Sequence, residues 1–180
     1  LDIVAGMTEV NDNPLNSAMR AVVEYIYTKT ETANGYSFEL NEKRLKNMYT
    51  IMKEKTISQI FNLIFGATAY QDVQAWLVAS VDKKISVFEE EVKTELVNWG
   101  ISLDEVYAYI DSIVFPEANY PEGERPSVTD YIDQMADVTL LDLINSSAEE
   151  GEELTADAVK KLINDYGEQL GALKMSDIMD

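Results

Sequence analysis

Apolar residues return at every third or fourth position along most of this chain, the period of an amphipathic helix. Leu15, Met19, Val22 and Ile26 form the first such stripe, opened by Asn13 with Pro14 at the first helical position, and it is expected to run to about Thr28. Residues 31–38, "ETANGYSF", break the period, with Asn34-Gly35 as a turn. Asn41 reopens it for Leu45, Met48, Tyr49 and Met52. Strand-type alternation hardly registers.

Thr56 heads "ISQIFNLIF", apolar on nearly every side and stopped by Gly66, so a central position is expected for it. From about Ala69 the stripe is Val73, Trp76, Leu77 and Val81, running on to a long helix with Ile85, Phe88, Val92, Leu96 and Trp99 that closes at Gly100. Ser102 then caps a helix with Asp104 and Glu105 in its first turn, where the dipole favours them, and with Leu103, Val106, Tyr107, Ile110 and Ile113 as its buried face. Residues 116–126 hold three of the four prolines and no apolar period, so they read as a surface connection and the best place for an internal division.

Beyond them, "SVTD" at 127–130 has the spacing of a weak capping box before Val128, Tyr131, Ile132, Met135 and Val138. "TLLDLI" is a short apolar helix and "NSSAEEGEE" a solvated acidic loop. Thr155 caps a helix expected to end at Gly167, and a last one carries Leu170, Leu173 and Ile178. The pattern predicts an all-α fold: about nine or ten short helices in one globular, non-coiled-coil domain over 1–180, with no simple repeat and with more apolar helix surface than a two-layer bundle covers. Such a fold has room for an apolar cavity.

Charge narrows the partners. The chain has 33 acidic against 14 basic residues, net −19, which argues against nucleic acid and against an anionic lipid surface. Residues 116–180 alone carry 16 acidic and 4 basic side chains. A cationic protein partner at this acidic C-terminal third is therefore the alternative to a purely solubilising charge, and with it a protein-protein interaction module with a solid core. With no cysteine and no histidine, the chain has no thiolate nucleophile, no disulfide, no Ser-His-Asp or Cys-His arrangement and none of the usual zinc sites. No apolar run reaches the length needed to span a bilayer. The start at Leu1 is compatible with a secreted protein whose leader has been removed, while the missing cysteines leave the compartment open. Asn145-Ser146-Ser147 is an N-glycosylation acceptor by pattern.

Candidate chemistry is sparse. The acidic loop around Gly151 has the look of a calcium helix-loop-helix, but with Gly151 as sixth residue the third position is Ala148 and the twelfth Asp157 rather than glutamate, so no metal is expected. Adjacent carboxylates such as Glu89 to Glu91, or Asp104 with Glu105, are the pattern of a solvated helix face. No phosphate loop, Ser-x-x-Lys motif or nucleophile elbow occurs. No catalytic residue, cofactor or enzyme activity is expected.

Two segments carry a family likeness: "DVQAWL" at 72–77, and "GISLDEVYAYIDSIVFP" at 100–116 with its Gly100, Leu103, Asp104, Val106, Tyr107, Tyr109, Ile110 and Ile113. The stretch from Thr56 to Pro116 resembles the insect allergen repeat family, and residues 127–170 resemble it faintly. The resemblance implies a secreted, all-helical shell around a large apolar cavity that carries fatty acids or phospholipids, without catalytic residues. The cavity-facing candidates are Ile60, Phe61, Ile64, Trp76, Phe88, Trp99, Tyr107 and Ile110. Helical spacing alone selects them, so they are equally the residues of a solid core.

Overall fold

Side-chain caps decide where most helices of this chain begin. The Thr56 hydroxyl accepts from the Gln59 backbone N–H while the Gln59 side chain accepts from the Thr56 N–H, a reciprocal box that satisfies donors a helix start leaves unpaired. Thr139 and Asp142 repeat it. Asn41 and Ser102 cap singly, accepting from the N–H groups of Arg44 and Glu105. The computed structural model describes residues 14–179. Among them are α1 (Pro14–Ile26), β1 (Tyr27–Thr32), β2 (Gly35–Leu40), α2 (Glu42–Met52), α3 (Ile57–Phe65), α4 (Ala69–Ala79), α5 (Ile85–Asn98), α6 (Leu103–Val114), α7 (Val128–Gln134), α8 (Leu140–Asn145), α9 (Ala156–Ala172) and α10 (Met175–Met179), with a short 3-10 turn at Glu117–Asn119. The mostly helical fold is the one the apolar period predicts. Asn13, expected to open α1, lies outside the described residues.

The hairpin is the departure. α1 ends at Ile26, and β1 pairs antiparallel with β2 from Tyr27↔Leu40 to Thr32↔Gly35 across the turn Ala33-Asn34. Gly35 takes φ 129°, which a side chain would resist. The register sorts the residues: Tyr27, Lys29 and Glu31 oppose Leu40, Phe38 and Tyr36, while Thr28 and Thr30 oppose Glu39 and Ser37. Alternating Thr and alternating Tyr, Phe and Leu suit a pleated surface better than a helix. Lys29 sets its ammonium 3.9 Å over the Tyr36 ring.

The helices gather into two units. The first comprises Leu1–Val73 with Tyr166–Asp180, the second Gln74–Asp165. Both boundaries fall inside helices, α4 and α9, and the proline-rich stretch 116–126 lies within the second unit. There Phe115 stacks on Tyr131 at 6.0 Å, and the Arg125 Nε donates to the Phe115 carbonyl at 2.7 Å. In the first unit α1 packs on α2, α3 and β1; in the second α5, α6 and α7 pack on one another in pairs.

Each unit contains the same backbone device. In the first, Thr56 and Lys174 form an isolated antiparallel bridge, the Ile57 N–H donating to Leu173 O at 2.9 Å and the Met175 N–H to Lys55 O at 3.0 Å. In the second, Lys84 and Thr139 do the same, with Ile85 N–H to Val138 O at 2.8 Å and Leu140 N–H to Lys83 O at 3.1 Å. Two helix N-termini thus satisfy each other's unpaired donors, α3 with α10 and α5 with α8. The sequence behind the match is slight: an apolar residue follows each bridging one.

Burial differs from the sequence expectation. Among the described residues the buried apolar side chains are Val81, Ile85, Leu103 and Val159, all in the second unit. Ser80 is buried beside them and its hydroxyl donates to Trp76 O at 2.6 Å, so the polar group is satisfied. α3 is not the central helix its composition suggests: it has no fully buried residue, and Leu63 is 66% exposed. Ile113, expected on the buried face of α6, is exposed. At that end of α6 it is Asp111 that turns inward, accepting from the Val128 N–H at 2.7 Å and the Ser127 hydroxyl at 3.1 Å. The same contact corrects the capping box: Ser127 accepts from Thr129 N–H, and the carboxylate at this helix start comes from α6 rather than from Asp130.

Candidate functional site

The eight candidate wall residues are all half-buried. Ile60, Phe61 and Ile64 belong to the first unit, and Trp76, Phe88, Trp99, Tyr107 and Ile110 to the second. Phe61 in the first unit and Trp76 with Phe88 in the second each belong to an aromatic cluster, and Tyr107 in the second pairs with a carboxylate.

In the first unit Phe61 meets Phe65 at 4.7 Å, ring tilted on ring, and Tyr70 edge-on at 6.0 Å. Asn62 fixes the turn between α3 and α4, accepting from the Tyr70 N–H at 2.8 Å. The Tyr70 hydroxyl reaches α9 and donates to Gly167 O at 2.6 Å, while Gly171 lies so close to the ring that a Cβ there would stand 2.8 Å from Tyr70 Cε1. α9 runs on through Gly167, and Gly171 leaves room for the Tyr70 ring, a contact that offsets the roughly 1 kcal/mol glycine costs a helix interior relative to alanine. Burial pushes the Tyr70 hydroxyl above its ordinary pKa, against an opposing backbone hydrogen bond from Gly171.

In the second unit Trp76 and Phe88 stack at 4.8 Å with rings 14° apart, joining α4 to α5. The indole N–H donates to Glu91 Oε2 at 3.0 Å, and Lys83 donates to the same oxygen at 2.6 Å. These two donors, Lys83 first, hold the Glu91 carboxyl below the usual glutamate range. On the facing helix the Tyr107 hydroxyl donates to Glu89 Oε2 at 2.7 Å. Burial raises its pKa well above the ordinary tyrosine value, and the hydrogen bond to Glu89 and the charges of Glu89, Asp104 and Asp133 raise it further. Trp99 is the C-cap of α5, after which Gly100 at φ 80° lets the Ile101 N–H reach back to Leu96 O.

Glu89, Glu91, Lys83, Phe65 and Tyr70 are partners that spacing arguments did not select. One signal pointed to some of them: a buried Trp or Tyr has a polar tip that must find a partner, and the carboxylates 89–91 follow Phe88 at once. Chemically, the clusters bind their own polar groups. Glu91 stays ionised against Lys83, and the Tyr107 proton is held through neutral pH. Among the described residues no group of three or more acidic side chains is placed to hold a metal ion. The acidic loop is closed by Asn145, whose amide donates to Leu154 O and accepts from Leu154 N–H, both at 2.9 Å, so this glycosylation-pattern residue is engaged in the fold. No helix is long and apolar enough to cross a membrane among the described residues.

Fold and clusters define a class: a mostly helical protein with two cap-bridged units and half-buried aromatic faces. Compared with known proteins, the chain matches no family model, no curated protein and no solved structure.

Proposed function

We propose that this protein binds an apolar or amphipathic small molecule of the fatty-acid or phospholipid kind and performs no reaction on it. The supporting observation is the incomplete burial of its apolar faces. Every candidate wall residue from Ile60 to Ile110 stays half-buried, although burying an aromatic or branched aliphatic side chain fully is worth about 1.5–3 kcal/mol. An acyl chain laid along such a face within either unit supplies the missing contact. Such a ligand needs a mostly apolar lining with a few polar groups at its edge, and the Trp76–Phe88 stack, bordered by the Lys83–Glu91 pair, has that make-up. The likeness to the insect allergen repeat family supports the same ligand class and a secreted location.

Purified protein is weighed by native and by denaturing mass spectrometry, extracted with organic solvent, and titrated with a fluorescent fatty acid. A native mass excess, extractable lipid and saturable uptake are expected. No lipid in the extract together with no uptake overturns the reading.

A further inference from the structure

Helix α6 turns two parallel rows to solvent. Asp104, Ala108 and Ser112 form one and Glu105, Tyr109 and Ile113 the other, each with the four-residue spacing that aligns side chains on a helix, and all six are exposed. Tyr109 at 67% and Ile113 at 61% are among the most exposed large apolar side chains of the chain. Ala108 is too short to fill its row, and the Ser112 hydroxyl folds back to donate to Tyr109 O at 2.6 Å. The face is therefore an apolar ridge beside a shallow trough, with two carboxylates one turn away, about 6 Å along the axis.

Charge says what fits there. The second unit holds 21 acidic and 6 basic residues, net −15. Four of those cations are already committed: Lys83 to Glu91, Lys84 to Asp137, Lys160 to Asp82 and Lys161 to Asp165. Arg125 donates to the Phe115 carbonyl. A second copy would bring the same negative charge to the interface, and an anionic lipid surface would be repelled by it. We propose that this face of α6 docks a cationic amphipathic helix of another protein, with Tyr109 and Ile113 meeting its apolar positions and Asp104 and Glu105 its Lys or Arg side chains. This contact is separate from the small-molecule reading and stands without it.

The test titrates the full chain into a fluorescein-labelled designed peptide with Leu on one helical face and Lys on the other, read by anisotropy. Binding is expected, weakening about tenfold from low to moderate salt as charge screening shortens. Tyr109→Ser with Ile113→Ser lowers affinity about tenfold at either salt with an unchanged far-ultraviolet spectrum, because both side chains are exposed. Ala108→Arg, which keeps helix propensity and puts a cation in the trough, gives a comparable loss. Asp104→Asn with Glu105→Gln flattens the salt dependence. The proposal is overturned by no binding at any salt, by undiminished binding of both the Ser pair and Ala108→Arg, or by a native dimer that the Ser pair converts to monomer.

Discussion

The two units are built by the same device and filled differently. Both join two helix N-termini through a single antiparallel bridge, Thr56↔Lys174 in one and Lys84↔Thr139 in the other. Yet the buried apolar side chains of the described chain, Val81, Ile85, Leu103 and Val159, all belong to the second, which also carries net −15. The first unit holds 12 acidic and 8 basic residues, the β-hairpin and exposed Met19, Val22, Tyr36 and Ile51. Backbone hydrogen bonding at helix starts thus specifies the joint in both units, while packing energy concentrates in one. Stability should follow burial, so local opening belongs to the first unit, and a ligand that covers apolar faces should protect that unit most.

The sharpest test of this difference is a pair of truncations. Leu103→Ala removes a side chain only 8% exposed and should cost about 3 kcal/mol, whereas Leu63→Ala on the outer face of α3 should stay within about 0.5 kcal/mol. Urea unfolding of both variants reads the result. Equal losses would mean that the first unit is packed as firmly as the second.

Gly171 offers a smaller effect inside the first unit. Alanine there gains about 1 kcal/mol of helix propensity but drives a Cβ into the Tyr70 ring, and overpacking of this kind costs about 1–3 kcal/mol. A net loss of about 1 kcal/mol is expected for Gly171→Ala alone. In a Tyr70→Ala background the same change should become stabilising, so a double-mutant cycle isolates the contact. Additive effects would remove Tyr70 as the reason for glycine in α9.

Much of this architecture was legible in the sequence, and the parts that were not share a cause. Asn41, Thr56, Ser102 and Thr155 announced helix starts because capping is local chemistry within three residues. The hairpin was missed although Tyr36, Phe38 and Leu40 alternate, because β1 reads as a polar run until its partner is in place. Gly167 read as a stop because its role, receiving the Tyr70 hydroxyl, depends on a residue 97 positions away. The apolar face of α3 read as central because composition reports how much apolar surface exists and not how much of it finds a neighbour. The eight candidate wall residues are half-buried, and the carboxylates Glu89 and Glu91 looked like solvent charges until Tyr107 and Trp76 were seen to reach them.

Tyr70 in the first unit also has a hydroxyl pKa raised by burial, and at high pH the larger shift is that of Tyr107 in the second. Its hydroxyl pKa is raised chiefly by burial and then by the hydrogen bond to Glu89, so the stability it contributes is complete below the unfolded tyrosine value near 10 and declines as pH climbs past it. Tyr107→Phe should cost about 1 kcal/mol at neutral pH and make the alkaline loss shallower. Urea midpoints from neutral to strongly alkaline pH check this, and parallel curves for wild type and variant would detach the alkaline loss from Tyr107.

Glu91 gives the smallest effect and the opposite sign. Its carboxyl is held below the ordinary glutamate value by the hydrogen bonds from Lys83 and Trp76, so the stability it lends is present above that value and is lost as pH falls through the lower folded one. The pair is partly exposed, so the change in midpoint should be slight. The indole makes it visible nonetheless. In a Trp99→Phe background, Trp76 is the remaining tryptophan, and protonating Glu91 removes the anion that its N–H donates to. Its emission should shift in a step centred below the usual glutamate range, with the far-ultraviolet spectrum unchanged. Glu91→Gln keeps an acceptor but cannot titrate, and should abolish the step. A step that persists in Glu91→Gln would assign the acid transition to other carboxylates, and the neutralised edge of the aromatic stack would no longer distinguish the second unit from the first.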